Sequence, residues 1–240
     1  MAESTVVIAN VRPALLGTYG DGGNAIVLRE RLRRRGHDAE ILQLDGHEPI
    51  PVGSDLVTFG GGEDDAQVIA ARDQPLADSV RAAVEAGAVV FAVCAGFQLL
   101  GETFRVGPGT EVAGFGVLDC RSDRMERRAV GEIMGEATVP GVGVLTGFEN
   151  HGGRTVLGPD AQPLARLSVG VGNDGSGIEG ATAGNLFATY LHGPVLARNP
   201  ALADALLERV VGTLAPLPGE LIDELRQQRL AAARARGART

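Results

Sequence analysis

The stretch that decides the fold is Val89-Val90-Phe91-Ala92-Val93-Cys94-Ala95-Gly96-Phe97-Gln98. Its short apolar run, rich in β-branched residues, is typical of a buried parallel strand, and the residues after Cys94 favour a helix. Cys94 is therefore predicted to lie on a sharp strand-to-helix turn. The unpaired N–H groups at the start of a helix favour a thiolate, which makes Cys94 a candidate nucleophile. The alternative is a buried structural cysteine, the commoner kind.

Strand and helix patterns alternate on the N-terminal side of this turn. The predicted strands are Thr5–Ala9, Glu40–Leu44 and Asp55–Phe59, and an amphipathic helix is predicted over Asn24–Arg35. A second helix is expected after the glycine loop that follows Phe59. This alternation predicts an α/β fold in which helices cover both faces of a central, mostly parallel sheet, with sites at the carboxyl ends of its strands.

The C-terminal half is punctuated by glycine and is β-like. Gly116–Cys120, Gly131–Glu136 and Leu164–Val169 suggest antiparallel strands that extend the sheet, and Asn185–Leu191 suggests one more strand, which ends at His192. Helices are predicted over Pro200–Val211 and Pro218–Gly237. The predicted organisation is one domain over residues 1–215 and a helical tail over residues 216–240.

Composition excludes several classes of function. The net charge is -8 and the 22 basic residues, all arginine, are scattered, which argues against a nucleic-acid surface. A phosphate-binding loop of the ATPase type needs a lysine, so we expect any ATP-driven step to occur on another chain. No metal or cofactor site is predicted. Without a signal peptide or a long apolar run, a cytoplasmic protein with no membrane span is expected.

Three features would meet at one edge of the predicted sheet: Cys94, His192 and the loop Gly60-Gly61-Gly62. Together they describe an acyl-transfer site, with Cys94 as nucleophile and His192 as general base and acid. The oxyanion hole would combine the N–H of Ala95 with that of Gly61 or Gly62. A tight structural turn is the alternative for the glycines, and His151 is an alternative base.

The motifs resemble those of the class I glutamine amidotransferases, in the cobyric acid synthase-like branch. They are Cys-x-Gly-x-Gln at 94–98, Gly-Gly-Gly at 60–62 and Tyr-Leu-His-Gly-Pro at 190–194. Tyr19-Gly20-Asp21, Asn24 and Gly147-Phe148-Glu149-Asn150-His151 are similar to the GatD family, the glutaminase subunits of lipid II isoglutaminyl synthases. The resemblance implies a flavodoxin-like amidotransferase fold.

The same resemblance implies a function. Cys94 would attack the side-chain amide of L-glutamine, Gln98 would help to hold this substrate, and Arg128 would pair with its α-carboxylate, although Arg127 is adjacent. Ammonia would pass to a MurT-like Mur ligase subunit in a heterodimer. With ATP and Mg²⁺, that partner would amidate the D-glutamate α-carboxylate of lipid II to D-isoglutamine. Alternatives are another acceptor such as a cobyrinic acid, a cysteine peptidase or glyoxalase-like enzyme, and an idle binding subunit.

One position departs from the common class I pattern. Many of these enzymes have His-x-Glu, whose carboxylate orients the imidazole, but here the sequence is His192-Gly193-Pro194. The sequence therefore predicts a Cys-His dyad. Resemblance to the GatD family implies that the partner supplies the missing carboxylate.

Overall fold

The computed structural model describes residues 4–107, 109–218 and 220–237. The elements of its first half are β1 (Val6–Val11), α1 (Gly23–Arg33), β2 (Ala39–Leu44), β3 (Leu56–Phe59), α2 (Asp64–Ala71), α3 (Gln74–Glu85), β4 (Val89–Val93) and α4 (Ala95–Leu100). The predicted strands and helices of this half therefore all occur, close to their predicted bounds.

The second half contains nine strands and three helices within the described residues. They are β5 (Thr103–Val106), β6 (Thr110–Ala113), β7 (Cys120–Ala137), β8 (Val144–Leu157), β9 (Ala165–Val169), β10 (Ile178–Glu179), β11 (Ala181–Ala183), β12 (Leu186–Thr189), β13 (Leu191–His192), α5 (Val195–Arg198), α6 (Pro200–Val211) and α7 (Glu220–Gly237).

A six-stranded sheet in the order β11-β12-β4-β3-β1-β2 forms the centre of the fold. The five strands from β12 to β2 are parallel, and β11 pairs antiparallel with β12. Because the carboxyl ends of parallel strands meet at one edge, the residues after β3, β4 and β12 come together there. These residues include the glycine loop, Cys94 and His192.

Helices cover both faces of this sheet, as the strand–helix alternation predicts. Alternate residues of β3 face opposite sides, so that Val57 packs in one hydrophobic core and Leu56 in the other. The first core includes Leu76 and Val80 of α3, and the second includes Leu28 of α1 and residues of α6.

The remaining described strands form a second sheet. Within the described part of the chain, β11 alone extends the central sheet, so the prediction that Gly131–Glu136 and Leu164–Val169 extend it is corrected. The second sheet is built around the long antiparallel hairpin of β7 and β8. Gly116–Cys120 is not a strand, apart from Cys120 at the start of β7. Gly116 has a φ of +68°, and the N–H groups of residues 116–118 donate to the carbonyls of Leu100 and Gly101 instead. This segment therefore serves as a connection that closes on the end of α4.

The C-terminal helix α7 packs on the second sheet. Leu230 is buried beside Met134, Val144 and Val169, and Arg226 donates to the side chain of Asn199 at 3.1 Å. Helix α7, which falls within the tail predicted over residues 216–240, therefore lies against the second sheet, and residues 219 and 238–240 of that prediction lie outside the described residues. Among the described helices, none combines the length and the apolar character that a membrane crossing requires.

Candidate functional site

Cys94 occupies a strained turn between β4 and α4. Its backbone has φ 54° and ψ -104°, a conformation that is unfavourable for a residue with a Cβ. The turn is held by the Cys94 N–H, which donates to the Thr189 carbonyl at 2.8 Å, and by the close packing of Gly96. A Cβ at Gly96 would lie 2.6 Å from the Cβ of Phe59. The small residues after Cys94 therefore permit the turn, which leaves the thiol partly exposed at the sheet edge.

His192 lies at the end of β13, next to a carboxylate of the same chain. The Nδ1 atom of His192 is 3.0 Å from Oδ2 of Asp21, and both side chains are buried. The other carboxylate oxygen of Asp21 accepts the N–H of Gly193 at 2.9 Å. A carboxylate of this chain therefore lies beside His192 where the sequence predicts none, and Asp21 becomes the candidate for the acid that orients the imidazole.

Gly61 brings the nucleophile and the imidazole together. A Cβ at this position would lie 2.8 Å from Cε1 of His192 and 3.2 Å from the Cβ of Cys94. Only a glycine lets these two side chains approach each other across the loop. Cys94, His192 and Asp21 thus lie together around Gly61, with His192 and Asp21 buried and Cys94 partly exposed.

The predicted oxyanion donors are only partly available. The Gly61 N–H donates to Oδ2 of Asp21 at 2.9 Å, so Gly61 is not the free donor that the sequence predicts. The N–H groups of Gly62 and Ala95 have no partner among the residues that the structure describes, and both residues line the pocket beside Cys94. Gly62 and Ala95 therefore remain the predicted pair of donors.

The charge of this cluster favours a protonated imidazole. Burial lowers the pKa of His192, but its interactions with Asp21 and then with Cys94 outweigh burial and raise this pKa to about 10. His192 is therefore an imidazolium across neutral pH. The imidazolium therefore presents a positive charge beside Cys94.

The pocket beside Cys94 contains three arginines, of which Arg128 differs from the others. Arg124 pairs with Asp64 at 2.7 Å, and Arg105 has two acidic neighbours within 4 Å. Within the described part of the chain, Arg128 bonds only to the neutral Asn150, through its side-chain oxygen at 2.6 Å and its carbonyl at 3.1 Å. The charge of Arg128 is therefore free to bind an anion.

Gln98 lies on the floor of the same pocket with its amide already engaged. Its oxygen accepts from Gln67 at 2.8 Å, and its nitrogen donates to the Tyr190 hydroxyl at 2.9 Å. These bonds fix the amide in one orientation. Both partners are distant in the sequence, so the Gln98 side chain ties α4 to α2 and to the residue after β12, and contact between Gln98 and a substrate stays a prediction.

His151 is buried behind this floor. Its ring stacks on Tyr190 at 3.7 Å between centroids, and its Nδ1 lies 2.9 Å from the Gly153 carbonyl. A Cβ at Gly153 would lie 1.9 Å from Nε2 of Gln98, so the wall closes tightly here. These contacts give His151 a supporting place in the pocket wall, and His192 is the imidazole beside Cys94.

Comparison with known proteins identifies the family of this chain. Residues 7–200 match the CobB/CobQ-like glutamine amidotransferase domain. The chain belongs to this family. It is 36% identical to the Lipid II isoglutaminyl synthase (glutamine-hydrolyzing) subunit GatD of Staphylococcus aureus (strain N315), over 81% of this chain and 79% of that protein. It is 34% identical to the same subunit of Streptococcus pneumoniae (strain ATCC BAA-255 / R6), over 83% and 78% of the two chains.

A solved glutamine amidotransferase structure has the same fold. It matches with a TM-score of 0.60 at 24% sequence identity, covering 85% of this chain and 98% of that one. The α/β fold class predicted from the strand–helix alternation is therefore confirmed. The chain is a glutamine amidotransferase, and the pocket beside Cys94 is its candidate glutamine site.

Within the described residues, no three His, Cys, Asp or Glu side chains are grouped as a metal site requires.

We expect Arg128→Ala to weaken glutamine binding by well over tenfold. Arg128 is exposed at the pocket, but bound glutamine would shield the pair from water, and loss of a desolvated, charge-assisted pair with a carboxylate typically costs about 2 to 5 kcal/mol. The measurement is calorimetric titration of glutamine into Cys94→Ser and into the same variant with Arg128→Ala. Arg127→Ala is the matched control, because Arg127 is exposed and does not line the pocket. Equal affinities with and without Arg128 would remove this residue from the site.

Glu179, the last residue of β10, is a buried carboxylate that bonds to residues at the end of β12. Its Oε1 accepts the N–H of Tyr190 at 2.9 Å and the hydroxyl of Thr189, whereas Oε2 has no partner among the described residues. Burial is the largest effect on this group, and it raises the pKa of Glu179 from 4.5 to about 7. The carboxyl group is therefore partly protonated near neutral pH.

This raised pKa predicts a loss of stability with rising pH. The folded state keeps a proton that the unfolded chain releases above pH 4.5, so Glu179 destabilises the fold progressively up to pH 7. The full effect is about 3 kcal/mol. Glu179→Gln keeps an acceptor for Tyr190 and should lose this dependence. Urea unfolding of both proteins across the window measures it, and equal pH slopes would contradict the assignment.

Proposed function

We propose that this chain is a glutaminase subunit that hydrolyses L-glutamine at Cys94 and His192. The observation that carries the proposal is the placement of Asp21, His192 and Cys94 around Gly61. A nucleophile, a base and an orienting acid in this order are the groups that acyl transfer requires. The uncompensated charge of Arg128 supports binding of the substrate carboxylate in the same pocket.

The reaction follows from these positions. The Cys94 sulfur attacks the side-chain amide carbon of glutamine, and the N–H groups of Gly62 and Ala95 stabilise the oxyanion that forms. His192 then donates its proton to the leaving nitrogen, which departs as ammonia and leaves a γ-glutamyl thioester. His192 next takes a proton from water, which attacks the thioester and releases glutamate. Asp21 holds the imidazole through Nδ1 in every step.

The ammonia needs an acceptor on another chain. Similarity to two lipid II isoglutaminyl synthase subunits supports lipid II as this acceptor. The partner would be a MurT-like Mur ligase subunit that activates the D-glutamate α-carboxylate of lipid II with ATP and Mg²⁺, and ammonia would convert it to D-isoglutamine during peptidoglycan synthesis. The absence of lysine supports placing the ATP site on the partner. In this chain we propose no cofactor, and we place the reaction in the cytoplasm.

Co-purification from the native cell tests this proposal. The chain is tagged, its bound proteins are identified by mass spectrometry, and the complex is given glutamine, ATP, Mg²⁺ and lipid II. We expect a Mur ligase-like partner and amidated lipid II. Amidation of a cobyrinic acid instead would replace lipid II as the acceptor while keeping the glutaminase. Failure of the complex to release ammonia from glutamine would overturn the whole proposal.

A further inference from the structure

Asn150 connects the two halves of the candidate site. It belongs to β8, which also pairs with β13 beside His192. On one side, the oxygen atoms of Asn150 accept both the Nε and the Nη2 groups of Arg128, at 2.6 and 3.1 Å. On the other side, its Nδ2 donates to the hydroxyl of Tyr19. A single side chain thus contacts the predicted carboxylate-binding arginine and the loop that carries Asp21.

Tyr19 continues this connection to the base. Its ring meets the imidazole of His192 edge to face, with 4.8 Å between centroids and 68° between planes. Tyr19 has a φ of 60°, a conformation that a tyrosine seldom adopts without support from its surroundings. It precedes Asp21 by two residues in the same tight loop. The Asn150–Tyr19 hydrogen bond therefore supports a strained loop at the point where it covers His192.

Asn150 contacts one particular edge of the Arg128 guanidinium. Asn150 occupies the edge of the guanidinium formed by Nε and Nη2, so the end formed by the two Nη atoms is left for a carboxylate. Because the guanidinium is planar and rigid, fixing one edge fixes the angle at which the other is presented. Asn150 is thus placed to orient the group that binds substrate.

We propose that Asn150 is a positioning residue that orients Arg128 for the substrate carboxylate and, through Tyr19, holds His192 for proton transfer. This inference rests on the proposed glutaminase site and adds two residues to it. It predicts that the two sets of hydrogen bonds made by Asn150, to Arg128 and to Tyr19, affect different kinetic constants. Loss of the bond to Arg128 should weaken substrate binding, and loss of the bond to Tyr19 should slow the chemical step.

Four variants test this role of Asn150, which we call the relay from Arg128 through Asn150 and Tyr19 to His192, in the full chain with its co-purified partner. Tyr19→Phe removes only the hydroxyl that Asn150 holds and should lower kcat about three- to tenfold with little change in KM, the size of one hydrogen bond. Asn150→Ala should lower kcat to the same extent and also raise KM. The double variant should have the kcat of Asn150→Ala alone, because both changes break one connection. Arg127→Ala is the control and should match the wild type.

The pH profile separates positioning from a general structural effect. Loosening of His192 should displace the pH limbs of kcat/KM in Tyr19→Phe and Asn150→Ala alike, while Arg127→Ala leaves them in place. If Asn150→Ala fails to fold, Asn150→Ser is the second variant. Unchanged kcat in Tyr19→Phe, or additive effects in the double variant, would overturn the relay. A wild-type complex that releases no ammonia would instead overturn the proposed function.

Discussion

Cys94→Ser is expected to abolish ammonia release from glutamine, with a loss of at least about 10³-fold. A serine hydroxyl stays protonated beside an imidazolium, so it cannot replace a thiolate as the attacking group. The substitution is nearly isosteric and leaves the backbone bond from residue 94 to Thr189 in place. The fold and any partner binding should therefore be kept, and steady-state ammonia release with a circular dichroism spectrum measures both.

Cys120→Ser provides the matched control. Cys120 is buried at the start of β7, and burial, with smaller effects of Asp119 and Glu102, raises the pKa of its thiol to about 12. It is therefore an unreactive thiol, and its replacement should leave the glutaminase rate within about twofold of the wild type. An electrophilic glutamine analogue should label the peptide that contains Cys94. Near-normal activity in Cys94→Ser, or labelling at Cys120, would contradict the nucleophile assignment.

The sequence predicts the central sheet well because its strands carry local information. β4 is apolar and β-branched, and Cys94 is followed at once by the small residues that the turn needs. The second sheet is less predictable. Its long hairpin pairs residues such as Cys120 and Leu157, and the choice of partner strand depends on tertiary packing rather than on local periodicity.

The sequence predicts those site residues whose chemical type and position after a strand indicate a role. It does not predict residues that reach the site only through the folding of distant segments. Cys94 and His192 are recognisable from their types and positions after strands. Asp21 stands out in the sequence only as part of the Tyr19-Gly20-Asp21 motif, because the common pattern places the acid two residues after the histidine and not 171 residues before it. A signal was available: Asp21 lies in a glycine-rich loop after β1, near the same sheet edge. The use of the Gly61 N–H by Asp21 depends on backbone direction, which sequence does not report.

Asp21→Asn is expected to lower glutamine hydrolysis by about 10²- to 10⁴-fold while the nucleophile remains in place. In serine proteases, the corresponding loss of the orienting carboxylate costs about 10⁴ in kcat, because the imidazole takes the wrong tautomer. Asparagine also removes the negative charge that helps to raise the pKa of His192 to about 10. Since that pKa should fall, the imidazolium should be lost at lower pH, and the alkaline limb of kcat/KM should shift downwards.

The pairing with Asp21 also makes a prediction for stability, in the same direction as that of Glu179, because both groups have a raised pKa and both make stability fall as the pH rises. A histidine whose folded pKa is raised stabilises the fold fully below its ordinary value of 6.5, and this contribution disappears as the pH rises to about 10. Asp21→Asn should therefore weaken the fold most below pH 6.5. The exposed neighbour of the glycine loop, Asp65, supplies the control Asp65→Asn, which should alter neither the rate nor this pH dependence.

Asp21→Asn also distinguishes between an orienting acid in this chain and one supplied by the partner. Asp21 already contacts Nδ1 of His192 in the chain by itself, so the isolated protein should hydrolyse glutamine through a complete triad. Ammonia release is measured for wild type and Asp21→Asn, each alone and with the co-purified ligase. If Asp21 is the orienting acid, the variant stays slow in both states. Recovery of the variant to the wild-type rate on adding the ligase would mean that a partner carboxylate replaces Asp21 at His192, and would restore the partner-supplied triad.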